Sequence, residues 1–210
     1  MQKKHLIIIL PGIGDDIFNG LKFGAYLANR HSKVDTLFVR INIGWKTNLT
    51  TEQITKRYLE IRDHVKLLSK NAESISIFSI SAGTPIAILL SFEFFDKLKS
   101  FVSYCGWVGY DKKRLALIPH EGFAELVWKA NEMLSSKPKE AREIGDKTLV
   151  VTAKIDSVIP MRLQRWELAK KHIKINYFTH AFASMVGAVI HLARGSKSEI
   201  TRWLIDGPSS

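Results

Sequence analysis

Three side chains far apart in the chain, the hydroxyl of Ser81, the carboxylate of Asp156 and the imidazole of His191, are of the types that combine into an activated nucleophile. A serine hydroxyl is a poor nucleophile at neutral pH and needs a base, usually imidazole. The imidazole in turn needs a carboxylate to fix its tautomer and stabilise its charge. Ser81 lies in Ser79-Ile80-Ser81-Ala82-Gly83. Before it, Ser74 to Ser79 is short and β-branched enough for a central strand. After it, Thr84 to Phe95 carries Ile86, Ala87, Leu89, Leu90 and Phe94, a largely apolar helix. A serine at such a corner is pushed out of the sheet in a strained conformation, beside the first amides of the helix. Small residues two positions to either side let strand and helix approach closely, and Ser79 and Gly83 are small. The usual pattern is G-x-S-x-G; with Ser79 in the leading place the pentapeptide alone is weak, and its position between strand and helix gives it weight.

The elements that must position these groups alternate along the chain. Strands are expected at Leu6–Leu10, Val34–Ile41, Ile75–Phe78, Phe101–Cys105, Thr148–Thr152 and Lys174–Phe178. Helices are expected at about Asp16–Arg30, from a Thr50 or Thr51 cap to about Lys70, at Thr84–Phe95, and near Met161–Lys171 and Ser198–Ile205. Near-continuous apolar strands joined by helices imply an α/β fold, a doubly wound, mostly parallel six-stranded sheet with helices on both faces. The 210 residues fit one domain. Residues 107–146 are too long for a simple crossover and contain a helix around Glu121–Leu134. This insertion is either a small lid or a set of packing helices.

Ligands of an open α/β sheet collect at the carboxyl ends of its strands. Gly12-Ile13-Gly14 follows the first strand, Ser81 the third, Lys154-Ile155-Asp156-Ser157-Val158-Ile159-Pro160 the fifth, and His180 and later His191 the sixth. The order Ser81, Asp156, His191 is the Ser…Asp/Glu…His order of one fold family. On the elbow, the acid loop and a histidine before the last helix, the sequence resembles the α/β-hydrolase superfamily over residues 5–205, as a compact version starting at the strand that usually comes third. The resemblance implies Ser81 as nucleophile, His191 as general base and acid, and Asp156 as orienting acid. It also implies an oxyanion hole of the Ala82 and Ile13 amides. His180 is the alternative base and Asp111 the alternative acid. Asp156 could also merely cap the helix entered through Pro160. Trp107, Tyr110, Phe123 and Trp128 could wall an acyl pocket or belong to the core.

Other chemistries are less well supplied. A dinucleotide fingerprint lacks its third glycine, since Ile17 stands there, and Arg40 and Asn42 rather than an acid end the second strand. Asp15 and Asp16 are better placed to cap a helix than to bind metal. There is no paired His/Cys spacing for zinc and no Walker lysine, so no cofactor or metal is expected. The net charge of +11 is spread out: residues 1–50 hold 7 basic and 3 acidic groups, residues 151–210 hold 9 and 4. The short clusters Lys112-Lys113-Arg114 and Lys170-Lys171 lack interleaved aromatics, so no nucleic-acid partner is expected. The single cysteine, Cys105, excludes an internal disulfide and suits a reducing compartment. The run Leu6–Leu10 is too short for a signal peptide, and no stretch reaches the ~20 apolar residues of a membrane span. A cytoplasmic serine hydrolase of small carboxylic esters or thioesters is the resulting expectation. A non-catalytic binding protein, or an acyltransferase or peptidase with the same triad, is the alternative.

Overall fold

Continuous apolar runs with no polar alternation can be stable strands only if both faces of the sheet are covered, and the fold follows from that requirement. The computed structural model describes residues 4–13, 20–32, 35–45, 48–116, 121–154, 156, 158–176 and 186–208. Six strands, β1 (His5–Leu10), β2 (Thr36–Arg40), β3 (Ser74–Ile80), β4 (Leu98–Tyr104), β5 (Thr148–Ala153) and β6 (Lys171–Ile175), form one sheet in the order β2-β1-β3-β4-β5-β6. Every pairing is parallel. All residues of β1 and β5, and all but the first of β3, are buried.

One face is covered by α1 (Gly20–His31), α8 (Ala188–Ala193) and α9 (Glu199–Asp206), whose Leu21, Ala28, Leu192 and Leu204 meet Ile7, Ile9, Phe78 and Val102. The other is covered by α2 (Thr51–Leu68), α3 (Thr84–Glu93), α5 (Glu121–Ser136) and α6 (Pro138–Asp146), with the short α4 (Lys112–Leu115) ahead of α5. Thr50 starts α2 with a full capping box: its hydroxyl accepts from Gln53 N–H while the Gln53 side chain accepts from Thr50 N–H. Within the insertion, Phe123, Leu126, Val127 and Ala130 of α5 are core residues.

Two expectations are corrected. The helix expected over Met161–Lys171 is a single turn, α7 (Met161–Gln164), and β6 begins at Lys171 rather than Lys174. The cause is tertiary. Trp166 turns into the core and packs edge-on against Phe101 at 6.0 Å, and Lys170 N–H bonds to Gly145 O. Lys171 is thereby set opposite Leu149 and starts the strand.

The chain moves outward from β1 to β2, then crosses back to β3 and continues to β6. The sheet therefore reverses direction between β1 and β3. A crevice forms at such a switch point, at the carboxyl ends of the two strands. Gly12 and Ser81 stand there.

Candidate active site

At the end of β3, Ile80 is still extended (φ −126, ψ 131), and the next residue, Ser81, has φ +49. A non-glycine side chain in that region costs about 1–3 kcal/mol and persists only where its surroundings impose it. The surroundings here are specific. The Ser81 carbonyl accepts the N–H of Thr84 and, at 3.2 Å, that of Trp107 from the loop after β4. Gly83 passes so close to β1 that a Cβ would stand 2.7 Å from Leu10 O and 2.8 Å from Pro11 O. A Cβ on Gly12 would stand 2.8 Å from the Ser81 Cβ. These glycines are small because the backbones of β1 and the elbow nearly touch.

Ser79, where the usual pattern has glycine, is fully buried. Its Oγ lies 2.9 Å from Thr84 Oγ1 and donates to Val102 O at 3.3 Å. Strand and helix on either side of Ser81 are thus tied together by a side-chain hydrogen bond. Ser103, the register partner of Ser79, is also buried, and a Cβ on Gly106 would collide with both Ser103 Oγ and Thr84 Oγ1. Ser81 itself is 9% exposed. Ile13, next to Gly12, is on the surface, and among the described residues its N–H meets no acceptor. Ala82 is the second residue of the single 3₁₀ turn that precedes α3.

Asp156 follows β5. Its Oδ1 accepts from Val158 N–H at 2.9 Å and Ile159 N–H at 2.7 Å, and its Oδ2 accepts from Gln164 Nε2 at 2.9 Å. Gln164 is fully buried and is held in turn by Ile159 O and Ala153 N–H. No local pattern marks this brace, because Gln164 ends a one-turn helix where the periodicity predicts a longer one. Asp111, the alternative acid, pairs with Arg162 at 2.8 Å. Cys105, one residue past β4, has φ +47 and is fully buried. Burial and the nearby Asp156 charge push its thiol up to about 12.

His191 lies in α8. Its Nδ1 is 3.0 Å from Ser198 Oγ, and its ring is 5.9 Å from that of Tyr104. Burial, with Arg194 nearby, lowers its pKa. No hydrogen bond joins it to Ser81 or Asp156 among the described residues. His180 lies outside the described residues. Of the four aromatics, Trp107 and Phe123 are buried and stack edge-on at 5.6 Å, with Trp45 against Phe123 at 6.0 Å. Tyr110 and Trp128 are exposed and line a shallow cavity of about 400 Å³ with Thr51, Glu121, Ala124 and Glu125. No group of three or more metal-ligating side chains occurs among the described residues.

No family model and no curated protein matches the sequence. Solved structures do. The chain is similar to LipS and LipT, two metagenome-derived lipolytic enzymes, at 11% identity over 92% of each chain and a TM-score of 0.66. It is also similar to a dienelactone hydrolase from Anabaena variabilis, at 14% identity over 98% of this chain and 88% of that one, TM-score 0.59. A third likeness is to a monoacylglycerol lipase from Paleococcus ferrophilus, at 11% identity over 98% and 96%, TM-score 0.57. The parallel six-stranded sheet and these likenesses give the chain the α/β-hydrolase fold.

Proposed function

We propose that the protein is a serine hydrolase that cleaves small carboxylic esters or thioesters through an acyl-enzyme. The observation that carries this is the braced left-handed backbone of Ser81 at the switch point of the sheet. In the first step Ser81 Oγ attacks the carbonyl carbon as its proton passes to an imidazole, which returns it to the departing alcohol or thiol. In the second, the imidazole takes a proton from water as the water oxygen attacks the acyl carbon, and returns it to Ser81 Oγ as the acyl C–Oγ bond breaks and the acid leaves. The Ile13 and Ala82 N–H groups hold the oxyanion of both tetrahedral intermediates; one such donor is worth about 3–4 kcal/mol. Asp156 orients the imidazole, and Gln164 holds Asp156.

A triad histidine uses one ring nitrogen for the serine and the other for the acid. Ser198 occupies Nδ1 of His191, leaving that ring one nitrogen for two tasks. This favours His180, five residues beyond the end of β6 in the sequence, as the base. In the sequence, distance from the last helix favours His191 instead. A fluorophosphonate probe should label wild-type protein and spare Ser81→Ala. Hydrolysis of p-nitrophenyl acetate should be lost in Ser81→Ala and retained in Ser103→Ala. The rate should fall ~10³-fold or more in His180→Ala and only mildly in His191→Ala. The opposite pattern returns the base to His191. Folded wild-type protein that is neither labelled nor active would make the chain a binding protein on a hydrolase scaffold.

A further inference from the structure

Helices α1 and α8 lie side by side on one face of the sheet. Gly20 and Gly24 of α1 have no Cβ to hold the helices apart, and they touch Val189 and Leu192. The outer surface of this pair carries four exposed apolar side chains. On α1, Phe23 and Tyr26 are 57% and 60% exposed. With Arg30 they follow the i, i+3, i+7 spacing of one helical stripe, and exposed Lys22 adjoins it. Across the seam, Val186, two residues ahead of α8, and Ile190 within it are also exposed.

Within the two stretches that form this surface the charge has one sign; the next carboxylate, Glu199 at the start of α9, is paired with Lys171. Gly20–His31 and the stretch from Ala188 to Lys197 contain Lys22, Arg30, Arg194 and Lys197, all exposed, and no carboxylate. Every other helix of eight residues or more among the described residues carries at least one, from Glu93 on α3 to three on α5. An amphipathic surface with aromatic and aliphatic side chains beside lysine and arginine matches the boundary of an anionic bilayer. There aromatic rings sit among the headgroups and cations reach the phosphates. No helix of the described residues is long and apolar enough to cross a membrane, so such contact would be peripheral.

We propose that the α1–α8 face is a docking surface for anionic phospholipid membranes. The two helices follow β1 and β6, so the docked face borders the rim that holds Ser81, and ester substrates partitioned into a lipid surface would be presented beside it. Docking requires no chemistry at Ser81, and Ser81→Ala should bind as wild type does.

The test is co-sedimentation with vesicles of phosphatidylcholine alone and of phosphatidylcholine mixed with phosphatidylglycerol. The protein should sediment with the mixed vesicles and be released by salt. Each basic residue at the surface is worth about fivefold in partitioning, so Lys22→Glu with Arg30→Glu should weaken binding by more than tenfold. Phe23→Ser with Tyr26→Ser should weaken it about tenfold or more, whereas Leu67→Ser, an equally exposed apolar site on α2, should leave it unchanged. Circular dichroism would establish that each variant is folded. Four outcomes would overturn the proposal: no binding to the mixed vesicles, equal binding to neutral ones, equal loss in Leu67→Ser, or salt-sensitive retention of duplex DNA in place of vesicles. A wild-type dimer that Phe23→Ser with Tyr26→Ser makes monomeric would instead assign the face to a second copy of this chain.

Discussion

Ser81 and Cys105 occupy equivalent places on neighbouring strands and have opposite chemical prospects. Ile80 and Tyr104 are register partners, and the next residue of each strand turns into the left-handed region, at φ +49 and +47. Both residues carry a potential nucleophile, and of the two a thiolate is intrinsically the stronger. The difference lies in what surrounds them. Ser81 opens the turn into α3, keeps some exposure, and has its carbonyl held by two N–H groups. Cys105 bonds its N–H to Val151 O, is sealed from solvent and faces the Asp156 charge, so its thiol stays protonated. Backbone strain therefore does not by itself mark a reactive residue. Access and the local charge decide which strained residue can react.

The largest blow to this contrast would come through Gly83, which belongs to the Ser81 corner alone. A methyl group there meets backbone carbonyls rather than a yielding side chain. Gly83→Ala should lower stability by about 3 kcal/mol, the upper end for overpacking. It should also reduce ester turnover by about 100-fold, as displacements of around 1 Å at a reacting group do. Urea unfolding and initial rates measure the two effects. Wild-type values for both would mean that the close approach of β1 and β3 does not set the Ser81 geometry.

How much of this contrast could be read from the residues alone depends on how local the cause is. The Ser81 elbow was legible because its strand, its small flanking residues and its helix are contiguous. The sheet was legible because β1 and β5 are nearly continuous apolar runs and β3 sets small serines among isoleucine and phenylalanine. The Cys105 turn was not, since Gly106 beside it packs on Thr84, which is distant in sequence, as well as on Ser103. The start of β6 was missed because Lys171–Ile175 is a half-exposed edge strand with polar residues, and Tyr177-Phe178 drew the expectation forward. Gln164 was unreadable as the brace of Asp156 because a periodic pattern over Met161–Lys171 hid the break made by Trp166. His191 was drawn by its distance from the last helix, a spacing that carries no information about Ser198 Oγ.

A smaller effect sharpens the comparison from the other side. The hydrogen bond between Ser79 and Thr84 spans Ser81, and among the described residues no such bond spans Cys105. Thr84→Val keeps the shape and removes the hydroxyl, at a cost of about 1 kcal/mol in stability. If the bond holds Ser81 in register with its oxyanion donors, kcat should fall several-fold with KM unchanged, and Thr84→Ser should restore it. A Thr84→Val enzyme that is less stable but has the wild-type kcat would leave the elbow held by its backbone contacts alone.

The smallest effect concerns Cys105, where activity should not change. Cys105→Ala should hydrolyse ester at the wild-type rate, and the native thiol should resist iodoacetamide at about pH 8 until the chain is unfolded. Its contribution to stability has a definite sign. The thiol is raised from its ordinary value of 9.0 to about 12 in the folded protein. Below pH 9 it keeps its proton in both states, and the contribution is fully present. Between 9 and about 12 the unfolded chain releases the proton while the native chain retains it, so stability drains away as pH rises. Lysines and tyrosines titrate over the same range, and the informative quantity is therefore the difference between wild type and Cys105→Ala. Melting temperatures from pH 8 upward should diverge above about 9, with the alanine variant losing less. Parallel curves together with rapid alkylation of the native protein would show that the second strained corner is open, and that the asymmetry between the two strand ends has another cause.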